Sequence, residues 1–188
     1  SMLDSLFSED SMITGENISP DISGLIGQYA HGNEPSHHIA YLYNYAGAPW
    51  KTQEKVQQIM GTMYKPTPDG ISGNEDCGQM SAWYVFSAMG FYPVNPASGI
   101  YVLGSPLFSE ISIDVGDSKK FELIANNKSA KNIYIQSATL NGKPLKRSYI
   151  THDEVMNGDK VTLEMGPQPN TVWGRGEENI PPSIHIAI

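Results

Sequence analysis

The apolar residues of this chain change their spacing at about residue 92. Before that point they recur every three or four residues, as on one face of a helix. After it they form short runs, several of which alternate with polar residues as in strands. A stretch that contains Pro, Asn, Ser and Gly, residues 92–99, separates the two patterns. We therefore predict an α+β chain, with a helical part over residues 1–92 and an antiparallel β-sandwich-like region over residues 93–188.

Proline near the start and glycine just after the end delimit most of the helices that the first part predicts. These helices are expected at about residues 20–31, 35–46, 50–64 and 79–89. The segment with Leu3, Leu6 and Phe7 also has helical spacing, but no capping residue is evident ahead of it. The chain is therefore expected to begin inside a helical element.

The predicted helices differ in charge. Residues 50–64 surround a narrow apolar stripe with Lys, Gln and Glu, which predicts an outer helix, whereas residues 35–46 and 79–89 contain no Lys, Arg, Asp or Glu and predict buried inner helices. Outer and inner helices joined by short loops are typical of an (α/α) toroid, and this chain would contain the last helices of one. Inner-helix surface without its neighbours would favour a homodimer of the chain.

The second part is expected to form short strands, because its runs are rich in Ile, Val, Phe, Tyr and Thr. The predicted strands cover residues 100–103, 110–115, 120–124, 132–138, 160–165 and 183–188. Asn-Gly pairs at residues 141–142 and 157–158 predict tight turns between them.

The composition disfavours several classes of function. The net charge is −8 and no cluster of Lys and Arg is longer than a pair, which disfavours binding to nucleic acid or to a membrane surface. No apolar run approaches the roughly 20 residues of a membrane span. Low charge with many Tyr, Gly and Asn residues suits neutral polar ligands such as sugars.

A short repeat stands ahead of both predicted inner helices: residues 32–35 (Gly-Asn-Glu-Pro) and residues 73–76 (Gly-Asn-Glu-Asp). We call these tetrapeptides the first and the second acidic loop. One antiparallel outer helix separates the two inner helices, which should therefore run parallel and begin at the same end of the toroid. The two acidic loops are accordingly expected to converge at one mouth.

Carboxylate and amide oxygens in these loops suit two kinds of chemistry. They are the hard ligands that calcium prefers, and a carboxylate at such a mouth can act as a general base toward water. The alternative is structural, because acidic residues at helix N-termini cap the backbone and interact favourably with the helix dipole. Both interpretations apply to Glu34, Glu75 and Asp76.

Other polar and aromatic residues leave similar alternatives. His31, His37 and His38 surround the first acidic loop and could bind zinc, contact sugar hydroxyls or form buried hydrogen bonds. Cys77 could be a nucleophile or a small buried residue. Two further candidates for stacking on a sugar ring, or for packing, are Trp50 and Trp173.

Several long motifs resemble glycoside hydrolase family 92. The first two helical blocks are residues 24–38 (GLIGQYAHGNEPSHH) and residues 43–47 (YNYAG), followed by Pro-Trp at 49–50. The third block is residues 73–84 (GNEDCGQMSAWY), followed by residues 90–93 (GFYP). In the second part the resemblance continues at residues 104–108 (GSPLF), 134–136 (YIQ) and 140–142 (LNG).

The resemblance implies an inverting, calcium-dependent exo-α-mannosidase of the kind found in gut bacteria, acting on an α-mannoside glycan outside the cytoplasm: in the periplasm, at the cell surface or secreted. It implies that Asp76 is the general base. The general acid would be a glutamate from the N-terminal portion of the same enzyme, so this C-terminal fragment alone is expected to be inactive. The alternative is a carbohydrate-binding or purely structural module.

The same resemblance suggests further site residues. Calcium ligands are expected at Asn33, Glu34, Asn74 and Asp76, and contacts to the sugar at His31, Glu34, His37 and Glu75.

Overall fold

The computed structural model describes residues 1–16, 18 and 22–183. Its α-helices are α1 (Met2–Ser8), α2 (Leu42–Tyr45), α3 (Pro49–Met63), α4 (Gln79–Met89) and α5 (His152–Asn157). Short 3₁₀ turns occupy Glu34–Ser36, Ile39–Tyr41, Asp76–Gly78 and Pro96–Ser98. Within the described residues, no helix is both long and apolar enough to cross a bilayer.

The strands form one hairpin and two larger sheets. They are β1 (Leu25–Ile26), β2 (Tyr29–Ala30), β3 (Phe91–Tyr92), β4 (Ile100–Leu103), β5 (Glu110–Gly116), β6 (Lys119–Asn126), β7 (Tyr134–Leu140), β8 (Lys143–Pro144), β9 (Tyr149–Thr151) and β10 (Lys160–Gly166). The strand orders are β1-β2, β5-β6-β10-β7-β8 and β3-β4-β9. Neighbouring strands pair antiparallel except β6 and β10, which are parallel.

The predicted α+β class is confirmed, and α3, α4 and β4 lie where the apolar spacing places them. The parallel pair β6–β10 is a departure from the all-antiparallel pattern. The segment between these strands contains β7, β8, β9 and α5, which is long enough for the crossover that parallel pairing requires.

The helix predicted over residues 20–31 is wrong, because residues 25–30 form the β1–β2 hairpin. Gly24 and Gly27 have φ values of +64° and +60°, which end any helix there and shape the turn. A Cβ on Gly27 would lie 2.6 Å from the Leu6 carbonyl oxygen, so only glycine lets the turn pack on α1. Residues 19–21, the predicted cap of this helix, lie outside the described residues.

The helix predicted over residues 35–46 is interrupted. Two 3₁₀ turns precede the four-residue α2, because backbone groups here bond to side chains of other elements. The carbonyl of His37, for example, accepts the indole N–H of Trp83 at 3.0 Å instead of serving a helical ladder.

The chain start and the second Asn-Gly pair also differ from expectation. Ser1 caps α1 in a capping box with Asp4, so this helix does not begin uncapped. Residues 141–142 form the predicted β7–β8 turn, whereas Gly158 closes α5 in a left-handed cap and makes no hairpin. Of the predicted strand over residues 183–188, residues 184–188 lie outside the described residues.

Two apolar cores meet at the sheet that contains β3 and β4. Tyr92 and Val102 belong to the core around Trp83, while their neighbours Phe91 and Leu103 belong to the core of the five-stranded sheet. Alternate residues of a strand point to opposite faces, so one short sheet serves both cores. The division at residues 92 and 93 stays a prediction.

Candidate active site

The two acidic loops touch through their glycines. A Cβ on Gly73 would lie 2.6 Å from the carbonyl oxygen of Gly32, and a Cβ on Gly32 would lie 2.5 Å from that of Ser72. Any side chain at either position would push the loops apart. The repeat therefore packs backbone on backbone, and the predicted convergence of the two loops is confirmed.

A hydrogen bond also joins the loops. The backbone N–H of Asp76 donates to Oε1 of Glu34 at 3.2 Å. Asp76 opens the 3₁₀ turn Asp76–Gly78, and the first N–H groups of such a turn have no partner within it. Glu34 thus satisfies a backbone donor of the second acidic loop from a position 42 residues earlier.

The second acidic loop has an unusual backbone. Glu75 and Cys77 have φ values of +57° and +53°, and Gly78 follows at +77°. Left-handed conformations are disfavoured for residues with a Cβ and occur where the surroundings hold them. The Glu75 carboxylate provides one such restraint, because its two oxygens accept the N–H of Ser81 in α4 at 3.3 and 3.1 Å. Glu75 therefore has the capping role that the structural alternative proposed.

Asp76, which lies between the two left-handed residues, is exposed. Within the described residues its carboxylate has no hydrogen-bond or ion-pair partner. Asn33 and Asn74 are exposed in the same way. The two acidic loops thus present side-chain oxygens that have no partner among the residues that the structure describes.

These oxygens match calcium in type but not in number. Calcium takes six to eight oxygen ligands, and carboxylates and amides are suitable donors. Among residues 1–16, 18 and 22–183, no group of three His, Cys, Asp or Glu side chains is placed to hold a metal ion. The loops therefore fit only part of a calcium shell.

His31 and His37 are enclosed behind the first acidic loop, at 0% and 1% exposure, with their rings stacked 4.6 Å apart. Nε2 of His37 donates to the carbonyl of His31 at 2.9 Å, since a carbonyl can only accept, and Nδ1 of His37 accepts from Gln79 at 3.1 Å. Nε2 of His31 donates to the hydroxyl of Tyr64, which itself donates to the Met80 carbonyl. These bonds define which ring nitrogens carry a proton, except for Nδ1 of His31.

That remaining nitrogen, Nδ1 of His31, accepts the hydroxyl of Tyr29 at 2.9 Å. Both rings are therefore neutral and fully bonded. Burial lowers the pKa of His31 to about 3, with a smaller effect from His37. Burial also lowers the pKa of His37, partly offset by its bond to the His31 carbonyl and by Glu34 and Glu75. These bonds agree with the structural alternative, and direct contact with sugar stays a prediction.

Four residues of this network were not singled out as candidates: Tyr29, Tyr64, Gln79 and Trp83. Tyr29 lies in the first motif block. Gln79 and Trp83 lie in the third motif block, which was the available signal, and Gln79 also donates to the Tyr92 hydroxyl at 3.0 Å. Tyr64 directly follows α3, and nothing in its local sequence indicates that it reaches the buried His31.

The remaining candidate residues differ in their exposure to solvent. Cys77 is exposed, so the description of a small buried residue is wrong for it. His38 is exposed as well, apart from the enclosed pair. Trp173 is 8% exposed and its indole N–H donates to the Leu145 carbonyl at 2.9 Å, so it packs rather than offering a face to a sugar. Trp50 is half-buried at the start of α3.

Comparison with known proteins gives a consistent result. Residues 1–167 match the glycosyl hydrolase family 92 catalytic domain. The family GH92 alpha-mannosidase BT3965 from Bacteroides thetaiotaomicron, in complex with mannoimidazole, is 46% identical with a TM-score of 0.89 over 97% of this chain. The family GH92 inverting mannosidase BT2199 from Bacteroides thetaiotaomicron VPI-5482 is 40% identical with a TM-score of 0.81 over 95% of it.

These relatives are much longer than this chain, which covers 24% and 25% of the two mannosidases. An uncharacterized secreted glycosidase from Arthroderma benhamiae is 35% identical over 160 residues, which are 84% of this chain and 20% of that protein.

Proposed function

This chain belongs to glycosyl hydrolase family 92, and from that premise we propose that it is the C-terminal portion of an inverting, calcium-dependent α-mannosidase that removes terminal α-linked mannose from glycans. The relatives support the type of sugar, since two are described as mannosidases and one as inverting. The secreted relative supports a parent enzyme outside the cytoplasm.

In this proposal Asp76 is the general base. The observation that carries the assignment is the contact between the two acidic loops, which leaves the Asp76 carboxylate exposed and free of bonds within the described residues. Asp76 would take a proton from water as the water oxygen bonds to the anomeric carbon. The glycosidic C–O bond breaks on the opposite face, and a general acid protonates the leaving oxygen.

We place that acid outside this chain. An inverting site needs its acid and base roughly 6.5–9.5 Å apart across the sugar. The other carboxylates of the two loops, those of Glu34 and Glu75, already accept backbone N–H groups. Glu34 is bonded to Asp76 itself and Glu75 precedes it in the chain, so neither is expected to lie across the sugar from the base. The N-terminal portion of the enzyme would supply the acid together with the remaining helices of an (α/α) toroid.

Calcium would polarise and orient sugar hydroxyls when bound. Because the loops fit only part of a shell, we propose that Asn33, Glu34, Asn74 and Asp76 contribute some of its oxygens and the rest of the enzyme completes it. For the predicted sugar contacts, the bonding of His31 and His37 favours an indirect role in which they support the first acidic loop, while Glu34 and Glu75 border the sugar.

The test is the rate of hydrolysis of an aryl α-mannoside by the whole enzyme with Asp76→Asn. Loss of a general base is expected to lower kcat by about 10²–10⁴. The matched control is Asp69→Asn, an exposed aspartate outside the second acidic loop, which should keep the wild-type rate. A kcat within a few-fold of wild type for Asp76→Asn would remove the base assignment.

A further inference from the structure

We propose that Glu34 is a positioning residue, whose Oε1 holds the backbone N–H of Asp76 and so fixes the direction in which the Asp76 carboxylate points. The inference rests on the proposed function of Asp76 as the base. It gives Glu34 a role that acts through Asp76 and is separate from any contact with metal or sugar.

The first support is the position of the bond. Asp76 lies between two residues with left-handed backbone, Glu75 and Cys77, and neither is a glycine. Such a backbone relaxes unless contacts hold it. The Glu75 carboxylate ties its own residue to α4 through Ser81, but the peptide of Asp76 is held from the opposite loop, by Glu34.

The second support is that the backbone of Glu34 is held in place. The N–H of His37 donates to the Glu34 carbonyl at 3.0 Å, and His37 is buried. The ring of His37 is bonded at both nitrogens, and its carbonyl accepts the Trp83 indole N–H. Hydrogen bonds therefore run from the core to the Glu34 backbone, and the Glu34 side chain extends them to the Asp76 amide.

The third support is that the two carboxylate oxygens of Glu34 differ in their bonding. Oε1 accepts the Asp76 N–H at 3.2 Å, and within the described residues Oε2 has no protein partner. Oε2 can therefore border a ligand while Oε1 holds the base. The contact between Gly32 and Gly73 sets the spacing at which this one bond can close.

Hydrogen exchange of the Asp76 amide, measured by NMR on this chain, tests the bond directly. Glu34→Ala should speed that exchange about tenfold, the ratio expected for losing a hydrogen bond to a charged acceptor. Glu34→Gln keeps a carbonyl oxygen in place and should leave it within about threefold of wild type. Glu177→Ala, an exposed glutamate of the C-terminal segment, is the control. Unchanged exchange in Glu34→Ala overturns the proposal.

Kinetics of the whole enzyme test the consequence. Kinetics are compared at calcium and substrate concentrations that saturate each variant, which offsets any weakened metal or sugar contact of Glu34. Under these conditions Glu34→Ala lowers kcat about 10- to 100-fold in the wild type. It has almost no further effect beside Asp76→Ala, because the two substitutions then remove one function. Glu34→Gln should restore most of kcat. Equal losses in both backgrounds, or no rescue by Gln, overturn the positioning role.

The two measurements separate this inference from the proposed function. An Asp76→Ala enzyme with wild-type kcat overturns the base assignment and, with it, the catalytic consequence for Glu34. The exchange rate still decides, in that case, whether Glu34 holds the Asp76 amide.

Discussion

At the scale of single residues, the buried pair His31 and His37 links the candidate site to pH. A histidine takes up a proton near pH 6.5 in an unfolded chain, whereas burial lowers the pKa of His31 to about 3 in the folded one. Between these values the unfolded state binds more protons than the folded state. The free energy of unfolding therefore rises with pH across this window and falls as the solution is made acidic.

We expect the His31 contribution to fall by about 2 kcal/mol between pH 7 and pH 5, with His37 acting in the same direction. Urea unfolding at the two pH values measures it. In His31→Gln the loss between pH 7 and pH 5 should be smaller than in the wild type by about that amount. Gln58→Ala, an exposed substitution that removes no titratable group, should retain the full wild-type loss. An equal loss in wild type and His31→Gln would contradict the account.

The sequence was enough to predict where the acidic loops lie, but not the roles of residues whose hydrogen-bond partners belong to other elements. The repeat, together with the expected parallel course of the helices that follow it, predicted that the acidic loops meet. It could not decide between capping and ligand binding for Glu75, because that depends on whether the turn Asp76–Gly78 brings the Glu75 carboxylate back to the Ser81 amide. The neutral state of His31 likewise depends on Tyr64, which is 33 residues away.

At the scale of elements, α3 was predictable from its narrow apolar stripe and α4 from its uncharged, largely apolar run closed by Gly90. The β1–β2 hairpin was not, since its apolar residues have helical spacing while Gly24 and Gly27 require positive φ. The pairing of β6 with β10 was also beyond local sequence, because it joins strands with β7, β8, β9 and α5 between them.

The helix α3 joins the two cores through buried side-chain amides. Oε1 of Gln53 accepts the N–H of Ile135 in β7 at 3.0 Å, and Gln53 is 1% exposed. Further along, Nε2 of Gln57 donates to the carbonyls of Ser105 and Pro106 at 2.9 and 3.2 Å. The Gln53 bond places α3 against the five-stranded sheet, and the Gln57 bonds join it to the segment between β4 and β5.

Gln53→Ala should therefore lower the free energy of unfolding by about 1–3 kcal/mol, the cost of leaving a buried N–H without a partner. Gln58→Ala on the exposed face of the same helix is the matched control and should change it by less than about 0.5 kcal/mol. Urea unfolding at pH 7 compares them. Equal effects of the two substitutions would show that the Gln53 bond does not join the cores.

At the scale of the whole molecule, one face of α4 is open. Val85 is 54% exposed and, with Ile71, Tyr64 and Tyr84, lines a cavity of about 570 Å³. Exposed apolar surface beside buried aromatic rings is what a helix shows when its neighbours lie elsewhere. This agrees with the proposal that further helices of a toroid, or a second copy of this chain, cover the face.

Calcium binding should likewise depend on the rest of the enzyme. Because no group of three His, Cys, Asp or Glu side chains converges within the described residues, the site has few charged ligands, and we expect this chain to bind calcium no more tightly than about 1 mM. The whole enzyme should bind it more tightly and lose activity to a chelator, with recovery on adding calcium. Titration calorimetry on the chain decides the point: submillimolar binding that Asp76→Asn weakens would place the site within the two loops.

The measurement that tests the central claim most directly is mannose release from an aryl α-mannoside by this chain alone, beside the whole enzyme, in millimolar calcium. The account predicts turnover by the whole enzyme and no release by the chain above that of its Asp76→Asn variant, because the chain contributes a base and only part of a metal site. Release by the chain that Asp76→Asn abolishes would contradict it, since base and acid would then both lie within these 188 residues.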